Sequence, residues 1–250
     1  MDLELKGKIA VVTGGSVGLG REIAKVLAAE GVHTVVVARR GTLLESLQDQ
    51  IERAGGPRPL ALPLDLYAPD TAVKIRDAAL SAYGRVDILV NNAGGSRPIP
   101  WDSPDAAWDE SFSINFTAVR RLTQTLLPGM IERRWGRVIC VTGSAEPSGV
   151  NAAVAAKAGV HAWAKGLSRE MGKHGITINC LSPGRIHSEQ IDQRLHPTAE
   201  SQADFARNIP LGYFGDPADL AYLVAFLSSP RARYITGERI AVDGGLHRAI

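Results

Sequence analysis

Short runs of β-branched and aliphatic residues recur along the chain, and between them lie longer stretches whose apolar residues fall three and four positions apart. The short runs predict strands at Ile9 to Thr13, Thr34 to Ala38, Leu60 to Leu64, Ile88 to Asn91, Arg137 to Thr142, Thr177 to Leu181 and Arg239 to Val242. The longer stretches place one apolar face on a helix, as with Ile23, Val26 and Leu27, or Leu220, Leu223, Val224 and Leu227. Short β-branched runs that alternate with helical patterns predict an α/β fold: a doubly wound, seven-stranded parallel sheet with helices on both faces.

No composition shift, repeat or low-complexity segment divides the 250 residues, and α/β folds of this size commonly form one unit, so residues 1–250 are read as a single domain. The longest stretch without a strand, Pro183 to Asp216, follows the sixth strand. In such sheets ligands bind beyond the carboxyl ends of the strands, which makes residues 185–215 a candidate substrate lid, with an inert surface excursion as the alternative. Its apolar residues Ile191, Leu195, Phe205, Ile209, Leu211, Tyr213 and Phe214 predict that the segment packs on something.

Charge and composition narrow the partners. The 28 basic and 26 acidic residues leave a formal charge of +2 with no run of one sign, which argues against nucleic acid. No apolar stretch is long enough to span a bilayer, and the opening Met1-Asp2-Leu3-Glu4-Leu5-Lys6 is unlike a signal peptide, so no membrane partner is expected. Cys140 and Cys180 sit inside apolar strands, where a reduced thiol acts as a small hydrophobe; a cytoplasmic setting is expected.

The chemistry begins directly after the first strand, at Thr13-Gly14-Gly15-Ser16-Val17-Gly18-Leu19-Gly20, ahead of a helix opening at Arg21-Glu22. Glycines let backbone N–H groups approach a pyrophosphate, and the helix N-terminus favours its charge. The spacing of Gly14, Gly18 and Gly20 resembles the TGxxxGxG of short-chain dehydrogenases/reductases, a Rossmann-type family. Asn91-Asn92-Ala93-Gly94, Asn115, Lys157, Pro183-Gly184 and Val242-Asp243-Gly244-Gly245 follow in that family's order, over nearly the whole chain.

The resemblance implies a nicotinamide dinucleotide, held by Gly14, Ser16, Gly18, Leu19, Gly20, Asp65, Leu66, Asn92, Ala93, Gly94, Lys157, Pro183, Gly184, Ile186 and Ser188. Where an NAD-preferring member would carry an acid after the second strand, this chain has Arg39 and Arg40, which can pair with a 2′-phosphate. NADP(H) is therefore favoured over NAD(H), although Val17 stands where NADP-preferring relatives often have a basic residue. No metal is implied.

At the reacting end the family uses Ser, Tyr, Lys and Asn. Lys157 and Asn115 match, but four positions before Lys157 stands Ala153, so the resemblance implies that the phenol is missing. The serine is displaced as well: Gly143 falls at its position, and Ser144 one residue on becomes the candidate, beside Thr142. Asn115, Ser144 and Lys157 are the candidate catalytic residues.

A substitute proton donor is sought among Glu146, His187, Tyr213 and a water held by Asn115 and Lys157, while His161 is read as a packed helix residue. The expected activity is hydride transfer to or from a small-molecule carbonyl/alcohol pair, or a C=N or C=C bond, with an atypical proton donor. The alternatives are a non-redox enzyme on this fold and a dinucleotide-binding protein that has lost redox chemistry. The family's habit implies a homodimer or homotetramer, and the small residues Ala155, Ala156, Gly159 and Ala162 suit close packing of a helix, against a second copy or against the sheet.

Overall fold

The computed structural model describes residues 1–96, 98–143, 146 and 149–248. Seven parallel strands form one sheet: β1 (Ile9–Thr13), β2 (His33–Ala38), β3 (Leu60–Pro63), β4 (Ile88–Asn91), β5 (Gly136–Val141), β6 (Ile176–Pro183) and β7 (Arg239–Val242). Their spatial order is β3-β2-β1-β4-β5-β6-β7, so the winding reverses between β1 and β4. Expected and observed strands agree to within two residues at every end. β6 runs furthest beyond its expectation, because its register with β7 continues through Pro183↔Val242.

Successive strand residues face opposite sides, which is why both sheet faces need cover. Val11, Val35, Leu89 and Val138 pack on one side against Ile75 of α3 (Thr71–Tyr83), Leu122 and Met130 of α5 (Ala118–Glu132) and Val160 of α6 (Ala152–Met171). Ala10, Val12, Ile88, Val90 and Ile139 face the other way, toward Ile23 and Leu27 of α1 (Gly18–Ala29) and Leu220 and Val224 of α8 (Pro217–Ser228). A smaller cluster seats α2 (Gly41–Arg53) through Leu44, Leu47 and Ile51 on Val36.

The remaining helices serve the end of the sheet where the strands finish. Between β4 and α5 the chain forms α4 (Asp105–Phe112) and a π-helical turn, Ser113–Thr117. After β6, a second π-helical turn, Ile191–Leu195, leads into α7 (Ala199–Ala206), whose Thr198 and Ser201 form a reciprocal cap. This stretch has its own small core of Ile191, Ile209 and Phe214, with Phe205 and Leu246 against it. The packing expected of the segment is carried by Ile191, Phe205, Ile209 and Phe214, while Leu195, Leu211 and Tyr213 are 39%, 61% and 59% exposed.

At the opposite end of the sheet, the buried Asp87 ties β1 to β4. Its Oδ2 accepts the Ile9 N–H at 3.0 Å and Arg85 Nε–H at 3.0 Å, and its own N–H donates to the Ile9 carbonyl at 2.9 Å. Asp87→Ala leaves a buried N–H without a partner and is expected to lower stability by about 2 kcal/mol. Urea midpoints check this, with Asp87→Asn, which keeps an acceptor for Ile9, expected to recover more than half of the loss.

Candidate functional site

The reversal between β1 and β4 opens a cleft of about 830 Å³ beyond the strand ends. One residue fastens its floor. The Thr13 hydroxyl, at the end of β1, accepts the N–H groups of Asn92 and Ala93, both at 3.0 Å. In return Asn92 Nδ2 donates to the Thr13 carbonyl at 3.0 Å and to that of Gly14 at 3.3 Å. The two loops touch so closely that a Cβ on Gly14, whose φ is +70°, would sit 2.9 Å from Ala93 Cα, and one on Gly20 would overlap Asn92 and the Gly14 carbonyl.

Above that floor the glycine loop leads into α1, whose first turn receives no side-chain cap. Its uncapped N–H groups face the cleft beside Ser16, Gly18 and Leu19. Arg21 holds the loop from behind, donating to the Ser16 carbonyl at 3.1 Å and the Leu43 carbonyl at 2.8 Å.

Of the residues expected from the sequence, Gly14, Ser16, Gly18, Leu19, Arg39, Arg40, Asp65, Leu66, Asn92, Ala93, Gly94, Lys157, Pro183, Gly184, Ile186 and Ser188 all line this one cleft. Gly20 and Asn115 do not; both lie one layer beneath it. Ser144 lies outside the described residues. Asp65 Oδ1 is partly engaged, accepting the Tyr67 N–H at 3.1 Å.

Asn115 falls within the π-helical turn rather than in a regular helix. The wider turn points its amide at the β4 loop: Oδ1 accepts the Gly95 N–H at 3.1 Å and Nδ2 donates to the Ser111 carbonyl at 2.9 Å. A Cβ on Gly94 would come within 2.6 Å of that Oδ1, so only glycine fits between the amide and the cleft.

Lys157 rises from α6, whose N-terminus Asn151 caps by accepting the Ala153 and Val154 N–H groups. Its Nζ donates to the Thr142 carbonyl at 3.0 Å, and burial lowers its pKa to about 8. One turn before it on the same face is Ala153, which is buried and lines the cleft. One turn after it, His161 Nε2 lies 2.7 Å from Thr142 Oγ1. Burial, and then the positive charges of Arg239 and Lys157, lower the His161 pKa to about 4, so the ring is neutral. The Thr142 hydroxyl donates to the Leu181 carbonyl at 3.0 Å, which leaves His161 as the donor in its bond to Thr142.

The four substitute donors separate. His187 Nδ1 pairs with Asp192 Oδ1 at 2.8 Å and its ring packs on Phe214; neither it nor Tyr213 lines the cleft. Glu146 lines it, with its carboxylate accepting the Arg248 N–H at 3.2 Å. Lys157 and Asn115 both lie near Gly94, whose added Cβ would also lie 3.7 Å from Lys157 Cε.

Sequence reasoning did not single out Thr13 or Asn151, nor a pair that spans the cleft: Arg40 Nη2 donates to Glu189 Oε2 at 2.8 Å and Nη1 to Oε1 at 3.0 Å. Of the small residues on α6, Ala156 is buried while Ala155 and Ala162 are exposed.

Residues 14–247 match a family profile described as enoyl-(acyl carrier protein) reductase. The 3-oxoacyl-(acyl-carrier-protein) reductase FabG of Vibrio cholerae is 34% identical over 98% of this chain and 99% of its own. Among solved structures, L-sorbose reductase from Gluconobacter frateurii, complexed with NADPH and L-sorbose, superposes with a TM-score of 0.92 at 30% identity, covering 100% of both chains. A 7α-hydroxysteroid dehydrogenase complexed with NADH and 7-oxoglycochenodeoxycholic acid also superposes with a TM-score of 0.92, at 30% identity over 98% of this chain and 96% of that one. The chain belongs to the short-chain dehydrogenase/reductase family of NAD(P)-dependent oxidoreductases.

Proposed function

We propose that the chain is an NADP(H)-dependent oxidoreductase that reduces a small-molecule carbonyl, or oxidises the matching alcohol, with Lys157 rather than a tyrosine supplying the proton. The observation that carries this reading is Lys157 itself, a lysine with its pKa lowered to about 8 at the foot of a cleft whose opposite wall is bare backbone.

That wall fits a dinucleotide. At Gly14 and Gly94 a side chain would collide with the neighbouring loop or amide, and the first turn of α1 has no side-chain cap, so backbone N–H groups are left for a pyrophosphate. Relatives of this fold hold NADPH in one structure and NADH in another, so the choice falls to the residues after β2. There the exposed Arg39 has no ionic partner among the described residues and Arg40 stands next to it. Their guanidinium groups favour a 2′-phosphate.

When bound, the dinucleotide supplies or takes the hydride. The chain supplies the rest. Asn115 fixes the β4 loop through Gly95, and the Thr142 carbonyl orients Lys157 Nζ. In relatives with YxxxK a phenol stands at the position of Ala153; here the methyl side chain leaves room for a water between Lys157 and the substrate oxygen. The ammonium passes a proton through that water to the oxygen that becomes the hydroxyl, and the amine is reprotonated from solvent. Residues 185–215 lie along the open side and are assigned as the substrate lid; Ile186, held to Gly215 by a parallel bridge, is its fixed end. The exposed Ala155 and Ala162 support reading the α6 face as a homo-oligomer contact.

Because reduction needs the protonated amine, kcat/KM for reduction is expected to be flat below neutrality and to fall as pH rises through about 8. Lys157→Met is expected to lower reduction by about 10²–10⁴-fold and to remove that limb of the profile. A limb that persists in the variant assigns the proton elsewhere, with Glu146 the next candidate.

Ala153→Tyr tests the vacancy directly. It is expected to create or raise activity on simple ketones, read as NADPH oxidation; a folded, NADPH-binding variant that stays inactive favours the reading in which the protein binds the dinucleotide without turnover. Arg39→Ala is expected to weaken NADPH binding by about tenfold to a hundredfold, the worth of a charge-assisted hydrogen bond, and to leave NADH unchanged by nicotinamide fluorescence.

A further inference from the structure

Arg40 and Glu189 are 149 positions apart, yet they close a fork-to-fork pair across the cleft, two guanidinium N–H groups on two carboxylate oxygens. Arg40 immediately precedes α2, at the end of β2, and Glu189 belongs to the segment after β6. That segment passes directly over the glycine loop: a Cβ on Gly18 would lie 3.3 Å from Ser188 Cβ. It is anchored at Ile186 by the bridge to Gly215, and at Glu189 by Arg40. The carboxylate occupies the same planar fork through which a guanidinium takes a phosphate. Arg39, next in the chain, stays free of ionic partners among the described residues.

We propose that Glu189 is a specificity-determining latch: its carboxylate competes with the dinucleotide's 2′-phosphate for Arg40, so a phosphorylated cofactor must displace it and an unphosphorylated one leaves the pair closed. This rests on the NADP(H) reading of Arg39 and Arg40. Glu189 thereby holds down the preference for NADP(H) over NAD(H) and couples 2′-phosphate binding to release of the segment over the glycine loop. A ligand shifts such an equilibrium only by its differential affinity for the two states, and here the difference is the phosphate alone. Arg40 and Glu189 are 46% and 43% exposed, so the pair is a weak one and the effect is a modest factor.

The test is Glu189→Gln in the full chain, with Kd measured for NADPH and NADH by fluorescence and for adenosine 2′,5′-bisphosphate and AMP by calorimetry. NADPH and the bisphosphate are expected to tighten about twofold to fivefold, the range of an exposed ion pair, with NADH and AMP unchanged. In an Arg40→Gln background the same substitution is expected to do nothing. An effect of equal size in that background, which general charge repulsion would give, overturns the latch. So does weaker NADPH binding in Glu189→Gln, which would make the pair a clamp over the cofactor. A wild-type chain that binds NADPH no better than NADH removes the cofactor reading alone; selective action on the bisphosphate through Arg40 still decides the latch.

Discussion

The hydroxyl of Thr13 accepts two backbone N–H groups from the loop after β4, and the side chain of Asn92 returns two bonds to the loop after β1. This clasp lies where the sheet reverses its winding, the place at which the strand ends part and a ligand can enter. Everything above it inherits its geometry. Gly14 and Gly20 sit where the clasp leaves no room for a side chain, and Gly20 already belongs to the first turn of α1. Asn91, one residue before, extends the same fastening to the helices by donating to Thr123 of α5 at 3.0 Å. A polar network of this kind is rigid only when every member is satisfied, and here each donor has its acceptor.

The reacting end is built differently. Its central residue, Thr142, spends its carbonyl on Lys157 and its hydroxyl on the Leu181 carbonyl, and it accepts a bond from His161. Ser182 Oγ lies 3.3 Å from that hydroxyl and accepts Arg239 Nε–H at 3.1 Å, so the network runs from α6 through β5 and β6 to β7. Thr142 is thus tied to the sheet behind it. The neutral His161 matters to this arrangement: a second cation one turn from Lys157 would depress the lysine pKa further.

The periodicity of the chain disclosed the sheet because parallel strands covered on both faces are apolar at most positions, and those runs are short and bounded. The glycine-lined wall of the cleft was legible for a related reason: Gly14, Gly18 and Asn92 are brought to it by local spacing, and local spacing is what a sequence displays. Asn115 was found by its type, but its π-helical setting was not, since one extra residue in a turn leaves no periodic trace in so short a stretch. His187 and Tyr213 looked suited to chemistry by type alone; the fold turns them to Asp192 and to solvent. Glu189 had no signal at all, because its partner Arg40 is brought to it by the topology rather than by any spacing.

The two arginines after β2 show how far a charge pattern can carry an argument. As letters they are equivalent, and either could meet a 2′-phosphate. In the fold they are unequal: Arg40 already has a carboxylate in its fork, and Arg39 has none among the described residues. An arginine that is paired must exchange one anion for another, whereas an unpaired one offers its full attraction at once. On the NADP(H) reading Arg39 would therefore be the first point of attraction for the phosphate. On the latch proposal Arg40, held to Glu189 of the segment over the glycine loop, would be the point at which that attraction becomes movement.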